Sequence, residues 1–129
     1  MVHDLAHVRA ALASAAAAAT PAHLVTPPGG AHYAGPDFYA EIVRIAAAEH
    51  PAATYRLTLD CGDDAALAIT ALGQGWTSLV LGGGAKPRAK VTAVASRFQA
   101  TLFSRRPKAL DLGNCDDAAA VCRKLHEQR

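Results

Sequence analysis

The sequence predicts an α/β fold, a small open sheet of about four parallel strands with helices on both faces, preceded by an N-terminal helix. Three observations carry this expectation. Short apolar runs at 23–26, 55–60, 77–81 and 100–104 alternate with longer stretches whose apolar residues recur at helical spacing. Within those runs Leu57, Leu59, Leu79, Val80 and Leu81 are bounded by polar or glycine-rich residues, as strands buried on both sides of a parallel sheet are. The resulting order, α-β-α-β-α-β-α-β-α, implies parallel strands joined by right-handed crossovers.

Each element has a local reason. Asp4 is placed to cap a first helix running to about Ala19, where Thr20-Pro21 stops it, because proline disfavours helical geometry in the residue before it. A strand at 23–26 runs into PPGGAHYAGP, a loop longer than turning the chain requires. Pro36 and Asp37 open a second helix with Phe38, Ile42 and Ile45 on one face, ending near His50-Pro51. After the strand at 55–60, CGDD turns into a short apolar helix that Asp63 or Asp64 can cap and that Gly73 or Gly75 ends. The third strand at 77–81 leads to three glycines and a helix started by Pro87, with Val91, Val94, Ala95 and Phe98 as apolar positions. Residues 109–112, ALDL, read equally as an extension of the fourth strand, a separate edge strand or an ordered loop. A last helix starts near 114–116, carries Ala119, Val121, Cys122 and Leu125, and runs into a charged tail.

A chain of 129 residues is long enough for one domain with a core of its own, here residues 1–20 as the leading helix and 22–129 as βα units. The composition is 51% hydrophobic but only 5% aromatic, so the core must rest on Leu, Val, Ile and close packing of alanine-rich helices. Thirteen Lys and Arg against eleven Asp and Glu leave a net charge of +2, too little to predict a nucleic-acid or membrane surface. Cys61, Cys115 and Cys122 are an odd number in a domain that needs no staple, which points to reduced thiols and a cytoplasmic protein. The alanine-rich start could be taken for a targeting segment; Asp4, Arg9 and the helical spacing of Leu5, Val8 and Leu12 favour a soluble helix. No run approaches the roughly 20 apolar residues that cross a bilayer.

Over residues 22 to 112, with RLTLDCGDDAALAITALGQG as the clearest part, the alternation resembles half of a (β/α)8 barrel. The resemblance implies architecture alone. No motif diagnostic of a family accompanies it, so no catalytic residue is carried over.

Open α/β sheets bind ligands beyond the carboxyl ends of their strands, and three loops there hold residues able to do chemistry. In LGGGAKPR, the backbone at Gly83 and Gly84 can approach an anion, with Lys86, Arg88 and the positive end of the next helix adding charge. The same residues also read as a tight turn before a helix, and neither Gly-x-x-x-x-Gly-Lys-Ser/Thr nor Gly-x-Gly-x-x-Gly is present. In DCGDD, Asp60 or Asp63 suits a general base or a cation ligand, and Cys61 a nucleophile if its pKa is lowered. A cap, a turn and a small buried side chain explain those residues as well. His32 and Tyr33 are the groups of the long loop able to transfer a proton or touch a ligand ring. His3 and His7, four apart, lack a third ligand at a defined spacing, so no metal site is predicted, and the sequence leaves any cofactor unknown. Arg105, Arg106 and Lys108 form a small basic cluster after the fourth strand. The expectation is a binder of a small anionic or phosphorylated ligand, with Asp60 or His32 the acid/base group if it is an enzyme. The alternative is a non-catalytic interaction or regulatory module, and self-association into a homo-oligomer suits both.

Overall fold

The computed structural model describes residues 1–127; the last two residues of the expected charged tail lie outside the described residues. It contains four strands, β1 (Ala22–Val25), β2 (Tyr55–Asp60), β3 (Ser78–Val80) and β4 (Thr101–Phe103). The helices are α1 (Leu5–Ala18), α2 (Gly30–Tyr33), α3 (Pro36–Glu49), α4 (Ala65–Gly73), α5 (Ala85–Arg97) and α6 (Ala118–Glu127). The strands form one parallel sheet in the order β1-β2-β3-β4. Leu59 pairs with Leu79 and Asp60 with Val80, while Leu79 pairs with Leu102 and Val80 with Phe103. Strands that step one place at a time in one direction are what consecutive βα repeats produce.

Alternation along the strands sorts their side chains. Leu57, Leu59 and Cys61 of β2 and its extension share one side with Leu79 and Leu81. Thr58, Asp60, Ser78 and Val80 share the other. All of these residues are buried, so both sides of the central strands are covered. The second side is partly polar, and it satisfies itself: the Thr58 and Ser78 hydroxyls lie 2.7 Å apart. β4 is half-exposed, as an edge strand is.

The chain divides into two compact units. One comprises Met1–Leu24, Asp37–Leu57 and the chain from Ala109. In it α1 packs on α6, and the pair closes over a buried contact of 2.7 Å between Ser14 Oγ and His126 Nδ1. Asp4 caps α1 by accepting from the His7 N–H at 3.0 Å. Residues 109–112 form no strand of the sheet. Leu112 opens a short 3-10 turn (Leu112–Asn114), and the main chain around it bonds to Met1. His3 Nε2 lies 2.6 Å from the Asp111 carboxylate, and that contact, with the Gly113 N–H, holds the Asp111 carboxyl below the usual range. A lowered carboxyl pKa favours the fold above the ordinary carboxylate range and ceases to do so as pH falls through the lowered value. On α3 the buried stripe is Tyr39, Ile42 and Ala46, rotated from the expected Phe38, Ile42 and Ile45, and Phe38 stays 40% exposed. Ala46 is wholly buried, a small side chain taking the place in the stripe expected for Ile45.

The other unit comprises Val25–Pro36 and Thr58–Lys108. Here α4 packs on α5 and α5 on β4, with Ala68, Ala71, Leu72, Val91 and Ala95 buried. Asp64, not Asp63, caps α4, accepting from the Leu67 N–H at 3.0 Å. The long loop after β1 is not structureless, because α2 forms inside it. Helix α5 begins two residues before Pro87, which becomes its third residue, where a missing N–H still costs no helical hydrogen bond. α6 starts at Ala118, a few residues later than its sequence suggests, because the 3-10 turn occupies residues 112–114. Among the described residues no helix is long and apolar enough to cross a membrane.

Leu79 is fully buried at the centre of the sheet. Leu79→Ala should therefore lower the unfolding free energy by about 2–5 kcal/mol, and Leu102→Ala on the half-exposed edge by less, read from urea midpoints at constant slope.

Candidate functional site

The carboxyl end of the strands in the second unit is organised by Asp60, whose residue is only 3% exposed. Its Oδ1 accepts from the Gly29 N–H at 3.0 Å and the Gly62 N–H at 2.8 Å. Its Oδ2 accepts from Arg106 Nη1 at 2.6 Å. The same guanidinium nitrogen donates to the Thr26 carbonyl at 2.9 Å, and the Asp60 N–H donates to Thr26 Oγ1 at 2.9 Å. One carboxylate thus ties together the segments that follow β1, β2 and β4. The chain can turn its Gly62 amide back onto that carboxylate because Gly62 sits at φ +58°, a conformation that side chains resist. Gly82 joins the third loop to the second, donating its N–H to the Gly62 carbonyl at 2.8 Å.

The residues expected in these loops fall into distinct environments. Asp60 is buried with three donors on its two oxygens, one of them the Arg106 cation. Cys61 is 1% exposed, and burial first, then the Asp60 and Asp64 charges, push its thiol up to about 12. A thiol nucleophile works as the thiolate, which that environment opposes at neutral pH. Asp63 is exposed and lies against the glycine turn, with a carboxylate oxygen 2.6 Å from where a side chain on Gly82 would begin. His32 and Tyr33 are on α2, both exposed, Tyr33 to 85%. Their rings meet edge to face at 5.6 Å, and neither joins the Asp60 network.

The glycine turn has the most chemical capacity. Gly83 is at φ +88° and Gly84 is the N-cap of α5, with no side chain capping the helix. Among the described residues, the N–H groups of Gly83, Gly84, Ala85 and Lys86 donate to no protein acceptor. Capped helices in this chain spend such amides on an aspartate, as Asp4 and Asp64 show. Four successive free amides at a helix start carry partial positive charge and suit an oxyanion. Lys86 is exposed beside them. Arg88, half-buried, turns its Nε back to the Leu81 carbonyl at 2.8 Å, so part of that cation closes the end of β3.

The structure therefore places Asp60 at the end of β2, Asp63, Gly83 and Gly84 in the turns that follow β2 and β3, and Lys86 and Arg88 in the first turn of α5, with the Gly29 and Gly62 amides on the Asp60 carboxylate and the Gly82 amide on the Gly62 carbonyl. It leaves His32 and Tyr33 on the surface of α2. In the sequence Arg106 is one of three basic residues after the fourth strand; its role opposite Asp60 depends on a contact across 46 positions, and Thr26 carries no signal of its own. No local pattern signals either. Among the described residues, no group of three His, Cys, Asp or Glu side chains could hold a metal ion. The chain matches no protein-family model and no curated protein.

Two consequences can be measured. Arg106→Ala strands the Asp60 carboxylate in a buried setting and should cost about 3 kcal/mol, while adding Asp60→Ala should cost less than the sum of the two single changes. In the native protein Cys61 should resist a thiol reagent at pH 8 that modifies half-buried Cys115, and should react only on unfolding.

Proposed function

We propose that this protein binds a small phosphorylated or otherwise anionic ligand at the carboxyl edge of its sheet, on the turn at 82–84 and the first turn of α5. The observation that carries the reading is the run of four uncommitted amides from Gly83 to Lys86. An anion would take the place that a capping side chain fills elsewhere in the chain, and an oxyanion bound there offers several acceptors to successive N–H groups. Lys86 adds a full charge, and Arg88 adds charge while its Nε remains on the Leu81 carbonyl. Asp60 serves this reading indirectly, by holding the neighbouring loops in place. The reading is one of binding and names no reaction. Three free cysteines suit a reducing compartment such as the cytoplasm.

The Asp63 carboxylate lies against the turn and opposes an anion there, which makes the reading sharper to test. Titration of the purified protein with pyrophosphate by calorimetry should show binding that weakens with added salt. Lys86→Ala should reduce affinity at least threefold, and Asp63→Asn should raise it about two- to fivefold by removing an exposed like charge. Affinity indifferent to both substitutions and to salt would remove the turn from the reading.

A further inference from the structure

Beside the glycine turn, within the same unit, α4 and α5 flank a groove of about 410 Å³ lined by Ala65, Ile69, Lys86, Pro87 and Lys90. Its volume lies within the range of small-molecule sites, on the order of 300–1,000 Å³. Ala65, Ile69 and Pro87 give it an apolar floor, and Ile69 is left 41% exposed while Leu72 of the same helix is fully buried and Leu67 half-buried. Lys86 and Lys90 stand one helical turn apart on α5, so they project along the same side of it. Both are exposed, and neither forms an ion pair among the described residues.

We infer that the ligand is amphiphilic, with an apolar ring or branched chain seated on Ala65, Ile69 and Pro87 and its anionic group at the Lys86 end of the groove. This rests on the anion site proposed above and extends it, because Lys86 belongs to both the groove and the start of α5. An apolar lining, to which Lys86 and Lys90 contribute along their stems, with two unpaired ammonium groups beyond it complements a molecule that is apolar at one end and negative at the other. A purely hydrophilic anion would leave the floor in water, and a neutral apolar molecule would leave both ammonium groups unanswered. A small molecule is the occupant that matches both its size and its charge.

Three probes at one ionic strength separate the parts of this inference: inorganic phosphate, phenyl phosphate and benzyl alcohol, each titrated into the full chain by calorimetry. Phenyl phosphate should bind at least tenfold more tightly than inorganic phosphate and more tightly than benzyl alcohol. Ile69→Asn, which removes the apolar seat without adding charge, should abolish the phenyl advantage while leaving phosphate affinity within twofold. Ile69→Ala should reduce the advantage and serves as the second variant if the asparagine disturbs the melt. Lys86→Ala should weaken both phosphates together. Equal affinity for the two phosphates would overturn the apolar seat and leave the anion site standing. Failure of both phosphates to bind would overturn the anion site itself, and benzyl alcohol binding as tightly as phenyl phosphate would overturn the role given to the lysines.

Discussion

The contact on which the carboxyl edge of the sheet depends is the buried carboxylate of Asp60 with its three donors. A carboxylate at that depth is costly unless it is paired and hydrogen-bonded, and here the amides of Gly29 and Gly62 and the guanidinium of Arg106 meet that need together. Because the donors come from segments that follow three different strands, satisfying one charge fixes the relative positions of those segments. Thr26 reinforces the arrangement by accepting the Asp60 N–H and offering its carbonyl to Arg106. An aspartate that would pass for a catalytic base from its place at a strand end is therefore first of all a clasp.

What that clasp leaves available is the neighbouring turn. Gly82 is tied to Gly62 through the main chain, so the glycine turn inherits the order of the Asp60 network without spending its next four amides. Pro87 fixes the first turn of α5 and contributes no N–H. Order supplied from outside and donors left free is the condition under which a loop binds an anion without first having to organise itself. Asp63 lies against the turn and Arg88 turns its Nε to the Leu81 carbonyl, so charges of both signs belong to the segments around it.

Much of the fold was legible because strands and capped helices are local matters. The short apolar run at Leu57 and Leu59, bounded by polar and glycine-bearing residues, marked β2 to its last residue, and Asp4 and a CGDD aspartate were recognisable as caps from their place before a helix. Boundaries slipped where a neighbouring element intervened. Pro87 suits a first helical position, yet α5 reached back to Ala85 because Gly84 was free to cap it, and the 3-10 turn at Leu112 displaced the start of α6. On α3 the stripe turned by one residue, since periodicity counts Phe38 and Tyr39 alike and only packing decides which ring goes inside. The candidate site divided the same way. Its glycines and cations were visible in LGGGAKPR. The pairing of Asp60 with Arg106 and the groove beside Ile69 and Lys90 were not, because each joins residues that only the folded chain brings together.

The central claim, that free main-chain donors at the start of α5 hold an anion, is tested most directly by amide nuclear magnetic resonance during titration with inorganic phosphate. The account predicts saturable downfield shifts concentrated at the N–H groups of Gly83, Gly84, Ala85 and Lys86, with those of Gly29 and Gly62, already committed to Asp60, moving little. Shifts absent from those four amides, or largest at Gly29 and Gly62, would contradict it.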